Sequence, residues 1–350
     1  MIRSTRRHSP ALTLTLASLL AAVVAALVAP AWPAQAQGDA LRAPLATPLK
    51  VKQGMANVPA LSPLYLLPDE AKKYNIQIEQ VMFQRFADLR TALASGDLDV
   101  GVFGPQDISL AASQGVKSLV GVAGVGSGND CLIVRKGDDV KTWPELLGKG
   151  VGVGAGSISW LKFTASVTEA GVDYRKLKIV NIMGGGGNYL KALQSKEIDL
   201  AVVWHPFCAQ AITEGWGAYP SINHNQSKTV GGQLGVFAVN RGFLDKHPDA
   251  VQRLVIAYLD SLKAAQGNME HWAEIYAQKA GLALPVARES IRLTRLDSTL
   301  PLETIKRMTK FLAETGIVQR DVSAEIAQFY TYDFLTRATG KTPAELGQSQ

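Results

Sequence analysis

Cysteine is scarce: two residues in 350, too few for a disulfide scaffold. Aromatic residues make up 7% and charged residues 19%, and no stretch interleaves clustered Lys and Arg with aromatics. That excludes a nucleic-acid groove. At 47% the apolar share does not exceed that of an ordinary globular chain, so a multi-span membrane protein is excluded as well. Catalytic signatures are equally sparse. There is no G-x-x-x-x-G-K-S/T phosphate loop and no G-x-S-x-G elbow. Gly152, Gly154 and Gly156 follow a strand pattern, but their spacing is not that of the dinucleotide G-x-G-x-x-G. His205, His224, His247 and His271 lie far apart, without the pairing that a zinc site needs. No cofactor, metal or enzymatic activity is implied.

What is present is length and order. Single cores stop growing near about 250–300 residues, so 350 residues predict two lobes. The 47% apolar share is that of an ordinary globular chain. Residues 1–36 read as a cleavable signal peptide. Arg3, Arg6 and Arg7 precede the uncharged run Ala11 to Ala29, and Pro30, Pro33 and Ala34-Gln35-Ala36 supply a break and the small residues a signal peptidase reads. An uncleaved anchor is the alternative. No Cys stands near the cut, so a lipoprotein is excluded and the mature chain is expected in the periplasm, starting near Gln37. Losing those three arginines takes the formal charge from +6 to +3. Cys131 and Cys208 sit in apolar stretches, where two buried thiols are expected and pairing is the alternative.

From Leu49 onward, short β-type runs alternate with helical ones, which predicts an α/β fold with parallel sheets covered on both faces. Strands are read at Leu49 to Gln53, Ile76 to Phe83 and Asp99 to Phe103, with a helix at Asp88 to Ser95 stopped by Gly96. Ser62-Pro63 reads as the start of an earlier helix. The plan recurs with strands at Gly150 to Val153, Leu177 to Ile182 and Ile198 to Trp204, and helices at Pro144 to Leu147, Ile158 to Ala170 and Asn188 to Ser195. Thr91-Ala-Leu-Ala-Ser-Gly-Asp-Leu-Asp-Val100 echoes Lys191-Ala-Leu-Gln-Ser-Lys-Glu-Ile-Asp-Leu200 at an offset of 100 residues, a repeat that points to two similar lobes. Cys131 to Val134 and Leu234 to Val239 read as strands crossing between them. Lobe one is thus expected over 48–128 and 234–345, and lobe two over 129–233. Helical spacing covers Pro248 onward, then about 270–280, 285–293, 302–314 and 324–337. Trp272, Tyr276, Phe329 and Tyr332 are expected in the core.

In doubly wound sheets, ligands bind beyond the carboxyl ends of strands. Four loops stand there. One holds Asn57, one Phe103 and Gly104, one Ser157, Ser159 and Trp160, and one Trp204 and His205. Unpaired amides at a helix start beside small residues and hydroxyls make an anion site, although one of the serines is expected to cap its own helix. Gly184 to Gly187 reads as a second nest or a flexible loop. Trp160, Trp204 and Phe103 either cover a flat ligand or pack in the core, and His205 either donates to a ligand oxygen or ends a turn. Arg85 is the favoured cation for a carboxylate or sulfonate, with a solvated surface residue as the alternative.

Pro63-Leu-Tyr-Leu66, Thr91 to Gly101, Trp143-Pro-Glu-Leu-Leu-Gly-Lys-Gly-Val-Gly-Val153, Trp204-His-Pro206 and Phe243-Leu-Asp-Lys-His-Pro248 follow one another as in the periplasmic substrate-binding proteins of nitrate/sulfonate/taurine-type ABC importers, which the chain resembles. The resemblance implies a two-lobed type II periplasmic-binding-protein fold with added C-terminal helices. It also implies a ligand between the lobes and delivery to an ABC permease and ATPase by a monomer. Four features depart from the family pattern, one of them the absence of the Gly-aromatic pair usual before the second strand. Arg85-Phe86 replaces small residues and narrows the pocket, Pro68 interrupts the first helix, and His205 stands where an acid is usual. These changes fit an organic anion with a flat or aromatic body, such as a sulfonate or aromatic carboxylate. The rivals are a thiamine-pyrimidine-related binding protein or enzyme of the same fold, and a secreted interaction module, which would carry a large exposed apolar patch.

Overall fold

The computed structural model describes residues 40–348; the expected signal peptide lies outside the described residues. Residues 42–348 carry two five-stranded sheets. In the first, β1 (Leu49–Met55) pairs in parallel with β2 (Ile76–Met82) from Leu49↔Ile76 to Met55↔Met82, and with β3 (Val100–Phe103) at Gln53↔Val100. β4 (Leu119–Ser127) forms the far edge. β5 (Asp130–Arg135) follows β4 after a two-residue link and joins the second sheet. There β6 (Gly150–Val153), β7 (Lys178–Asn181) and β8 (Leu200–Trp204) repeat the parallel plan, and β9 (Gly217–Ala218) pairs with the end of β5. β10 (Gln233–Asn240) then inserts between β3 and β4 of the first sheet.

The sheets are not wholly parallel, which corrects the expectation above. β10 runs antiparallel to β3 and β4, and β5 antiparallel to β8. Each crossing strand enters its new sheet from the opposite end, so its direction is set by the traverse rather than by a βαβ unit. β3, β6 and β8 are buried on both faces and their residues are accordingly near-continuously apolar, whereas β1 exposes Lys50 and Lys52 before its buried end.

Twelve α-helices are described. α1 (Leu67–Lys72), α2 (Phe86–Ser95) and α3 (Pro105–Ser113) belong to the first lobe; α4 (Ile158–Glu169), α5 (Gly186–Gln194) and α6 (Phe207–Thr213) to the second. The rest follow β10: α7 (Arg241–Lys246), α8 (Pro248–Gly267), α9 (Met269–Ala280), α10 (Leu284–Arg292), α11 (Leu302–Glu314) and α12 (Asp333–Thr339). α8 presses its buried face against α1, and α10 reaches from α9 to α6. Trp272, Tyr276, Phe329 and Tyr332 are buried as expected.

Three local readings change. Ser62-Pro63 starts no α-helix: Pro59–Tyr65 is a 3-10 segment, in which Ser62 Oγ donates to Pro59 O at 2.6 Å and accepts from Trp272 Nε1 at 2.6 Å. Pro68 does not interrupt a helix but stands in the first turn of α1, where its missing N–H is no loss. The helix expected over 324–337 splits, because Tyr330 lies against Gly121 of β4 and Thr331 N donates to Gly121 O at 3.0 Å.

β4 itself was not legible as a strand, and its glycines have a steric cause. The stretch 293–299 runs along its end, with Gly124 N, Gly126 N and Ser127 N donating to the carbonyls of Ser298, Asp297 and Arg295 at 2.8, 2.9 and 2.8 Å. A Cβ on Gly124 would lie 1.9 Å from Thr299 O and one on Gly128 2.0 Å from Leu293 O. Side chains there would push the strap away from the point where the chain leaves the first sheet.

Candidate functional site

A cleft of about 390 Å³ opens where the parallel strands of both sheets end. The first lobe contributes Ala56 and Val58 after β1, Gln84 to Ala87 and Arg90 around the start of α2, Gln106, Asp107 and Leu110 of α3, and Leu234 of β10. The second contributes Asn129 and Asp130 at the start of β5, Ala155 to Ser159 at the start of α4, Gly184 after β7, and Trp204 at the end of β8.

Four charged side chains line this cleft: Arg85, Arg90, Asp107 and Asp130. Both acids are turned into the protein. Asp107 accepts from Arg90 at 2.8 Å, from Gly104 N at 3.1 Å and from Gln106 Nε2 at 3.1 Å. Burial nonetheless pushes its carboxyl up to about 6, the Arg90 charge and the Gly104 amide holding it back only in part. Asp130 accepts from Lys162 Nζ at 2.6 Å and from Ser159 Oγ at 2.5 Å, and the ion pair is fully enclosed. Burial alone would raise the Asp130 carboxyl, but the Lys162 ammonium, His224 and the two hydrogen bonds outweigh it and hold it below its ordinary value.

Both cations remain available. The Arg85 side chain is 72% exposed and reaches Asp88 only at 3.8 Å. Arg90 is 17% exposed, and one of its five N–H donors is engaged among the described residues, on Asp107. The walls therefore enclose both acids and leave the Arg85 guanidinium and four of the five Arg90 N–H donors without a hydrogen-bond partner among the described residues.

The start of α4 adds backbone donors. Gly156 takes φ +77°, a left-handed turn that glycine adopts without strain, and brings the chain round to Ser157. Ser157 Oγ donates to Gly154 O at 2.8 Å and accepts from Trp160 N at 3.1 Å, so it caps the helix. Ser159 spends its hydroxyl proton on Asp130. Ile158 and Ser159 also line the cleft, and their amides have no partner within the helix by position.

Of the residues singled out from sequence, the cleft brings together Arg85, Ser157, Ser159 and Trp204. Gly184, read as part of a second nest or a flexible loop, lines it too, whereas Asn57, Phe103, Gly104, Trp160 and His205 do not. Asn57 is exposed beside the cleft, its Oδ1 accepting from Tyr65 OH at 2.5 Å. Phe103 is fully buried in the first sheet. Gly104 lies behind Gln106, whose carboxamide occupies the place of a Cβ. Trp160 is buried edge-on to Tyr174. His205 is enclosed beside Tyr219 with both ring nitrogens unpartnered, and burial pushes it down to about 4, so the imidazole is neutral at pH 7.

Phe86, read from sequence as narrowing the pocket, does line the cleft, and Arg90, which the sequence reading missed, joins it there. The two stand one helical turn apart on α2, a spacing that was readable once α2 was recognised. The Asp130–Lys162 pair left no sequence signal. Cys131 and Cys208 are joined in a disulfide, against the expectation of two thiols: β5 and α6 pack with those positions 6.6 Å apart at Cα. Among the described residues no cluster of His, Cys, Asp or Glu could hold a metal ion.

The sequence profile of the NMT1-like family matches residues 68–278. The taurine-binding periplasmic protein of Escherichia coli (strain K12) is 27% identical over 203 residues, 58% of this chain and 62% of that relative, so the match spans less than two thirds of the relative's length. The alkanesulfonate-binding protein SsuA from Xanthomonas axonopodis pv. citri, solved bound to MOPS, superposes with a TM-score of 0.70 at 18% identity, covering 82% of this chain and 100% of that one. The periplasmic nitrate-binding protein NrtA from Synechocystis PCC 6803 gives 0.68 at 12% identity, covering 86% and 91%. The fold is the two-lobed type II periplasmic-binding architecture.

Proposed function

The chain belongs to the NMT1-like family, and from that premise we propose that it is the periplasmic solute-binding component of an ABC importer. It captures a small organic anion, such as a sulfonate or carboxylate, in the cleft and hands it as a monomer to a membrane permease served by an ATPase.

The observation that carries this reading is the charge arrangement of the cleft. Asp107 and Asp130 are consumed by inward bonds, while Arg85, Arg90 and the amides of Ile158 and Ser159 are left to a solute. An anion gains from donors of both lobes only when they approach each other, and that differential affinity is what shifts the molecule toward its closed form. The taurine- and alkanesulfonate-binding relatives support a sulfonate-like head group.

A thermal-shift screen of organic anions tests the reading. A saturable rise in melting temperature, with the solute recovered unchanged, is expected of a carrier. No stabilisation by any anion, or conversion of the bound solute to product, overturns it.

A further inference from the structure

The first-lobe wall is more selective than anion capture requires. Arg90 is oriented by a buried carboxylate whose second oxygen is already taken by Gly104 N and Gln106 Nε2. The guanidinium is thus fixed in direction and not free to follow a ligand as an exposed Arg would be. One turn earlier on the same face stands Phe86, half-buried at the cleft. No other ring pairs with Phe86 among the described residues.

Trp204 reaches the same cleft from the second lobe, and its indole is held edge-on by Tyr189 at 5.7 Å and Phe207 at 5.8 Å. One lobe therefore offers an unpaired ring beside a fixed cation, and the other a braced ring. Aliphatic anions would use the cation and leave both ring faces wet.

We propose that Phe86 and Arg90 together read an aromatic anion: Arg90 takes the sulfonate or carboxylate, and the ring of the solute lies between Phe86 and Trp204. This rests on the carrier reading above and narrows it to a flat, ring-bearing class. Arg85, exposed at the rim, attracts the anion, and Arg90 positions it.

Calorimetric titration of the mature protein with benzenesulfonate and ethanesulfonate tests the assignment. Benzenesulfonate binds at least about tenfold more tightly to the unaltered chain, in keeping with the gain from ring burial and stacking. Phe86→Leu removes most of that preference while ethanesulfonate affinity changes by less than about twofold. Arg90→Lys keeps the charge opposite Asp107 and so preserves the fold, but loses the fixed fork and weakens both probes by about tenfold. Equal affinity for the two sulfonates, a preference that survives Phe86→Leu, or indifference to Arg90→Lys overturns the inference while leaving the anion carrier intact. Binding of neither sulfonate, with no stabilisation by any other anion, removes the carrier reading and this one with it.

Discussion

The two lobes solve one backbone problem with different side chains. In each, a short helix ends in a left-handed turn, at Gly96 in one and Lys196 in the other, and a carboxylate follows three residues later. Asp99 Oδ2 accepts from Lys52 N at 2.8 Å, and Asp199 Oδ2 accepts from Gly150 N at 2.8 Å. These bonds pin the helix-to-strand turn to the neighbouring strand, which is the physical content of the 100-residue repeat. The last carbonyls of the helix are then covered from the crossing strand. Asn240 Nδ2 donates to Leu93 O at 2.8 Å, whereas Arg135 donates to Leu193 O at 2.9 Å and Ile198 O at 2.8 Å, and reaches Asp199 at 3.3 Å.

The difference reflects what surrounds each lobe. The first is braced by the helices after β10. The second is smaller and relies on internal ties: the Cys131–Cys208 disulfide, the enclosed Asp130–Lys162 pair and the Arg135 fork. Removing a tie should therefore cost the second lobe more than its counterpart costs the first.

The largest contrast lies between the two ion pairs. Lys162→Met strands a buried carboxylate and is expected to lower stability by about 3–5 kcal/mol, read from urea unfolding. Arg90→Met is expected to cost less than half of that, because the Asp107 carboxyl, already raised to about 6, takes up a proton instead. Equal losses would contradict the contrast. Next is the disulfide, which has no equivalent in the first lobe. Cys131→Ala with Cys208→Ala should cost about 2–4 kcal/mol, and hydrogen exchange should rise in β5 to α6 before it rises in the first sheet.

Acid separates the lobes by sign. His205 and His224, both in the second lobe, are pushed down to about 4 by burial, with nearby carboxylates opposing. An unfolded histidine binds its proton near 6.5, so their stabilisation is complete above pH 6.5 and is lost as pH falls toward 4, on the order of 2 kcal/mol each between pH 7 and 5. Asp107, with its carboxyl raised, acts oppositely: the folded state binds its proton first, and stability grows as pH falls through about 6. Net destabilisation between pH 7 and 5 is expected, with a shallower slope in His224→Asn; a slope unchanged by that substitution would refute the assignment. The smallest contrast is Asp199→Asn against Asp99→Asn: about 1–2 kcal/mol against about 1 kcal/mol, because only Asp199 also faces Arg135.

Much of this comparison was legible in the sequence. The Ala-Leu-x-Ser repeat and its Asp marked both helix-to-strand turns, and Gly150 to Val153 and Leu302 to Glu314 were located to the residue. What periodicity could not give were the features made by distant segments meeting. β4 carries Gly124 and Gly126 where the strap at 293–299 crosses it and Gly121 where Tyr330 packs, so its three valines are broken up by glycine instead of forming a run. The direction of β5 and β10 follows from where the chain has been, not from their own residues. In the site, Arg85, Ser157, Ser159 and Trp204 were read from strand ends and line the cleft. Phe103 and Trp160 were read the same way and lie in the core, since an aromatic at a strand end carries no sign of which side it turns to.

The central claim is that one solute touches both walls at once. Titrating benzenesulfonate into Arg90→Lys, on the first wall, and Trp204→Ala, on the second, tests it most directly. The account predicts that each substitution alone weakens binding by about tenfold, within the range for a lost charged bond or ring contact. Full affinity retained in either variant would contradict it.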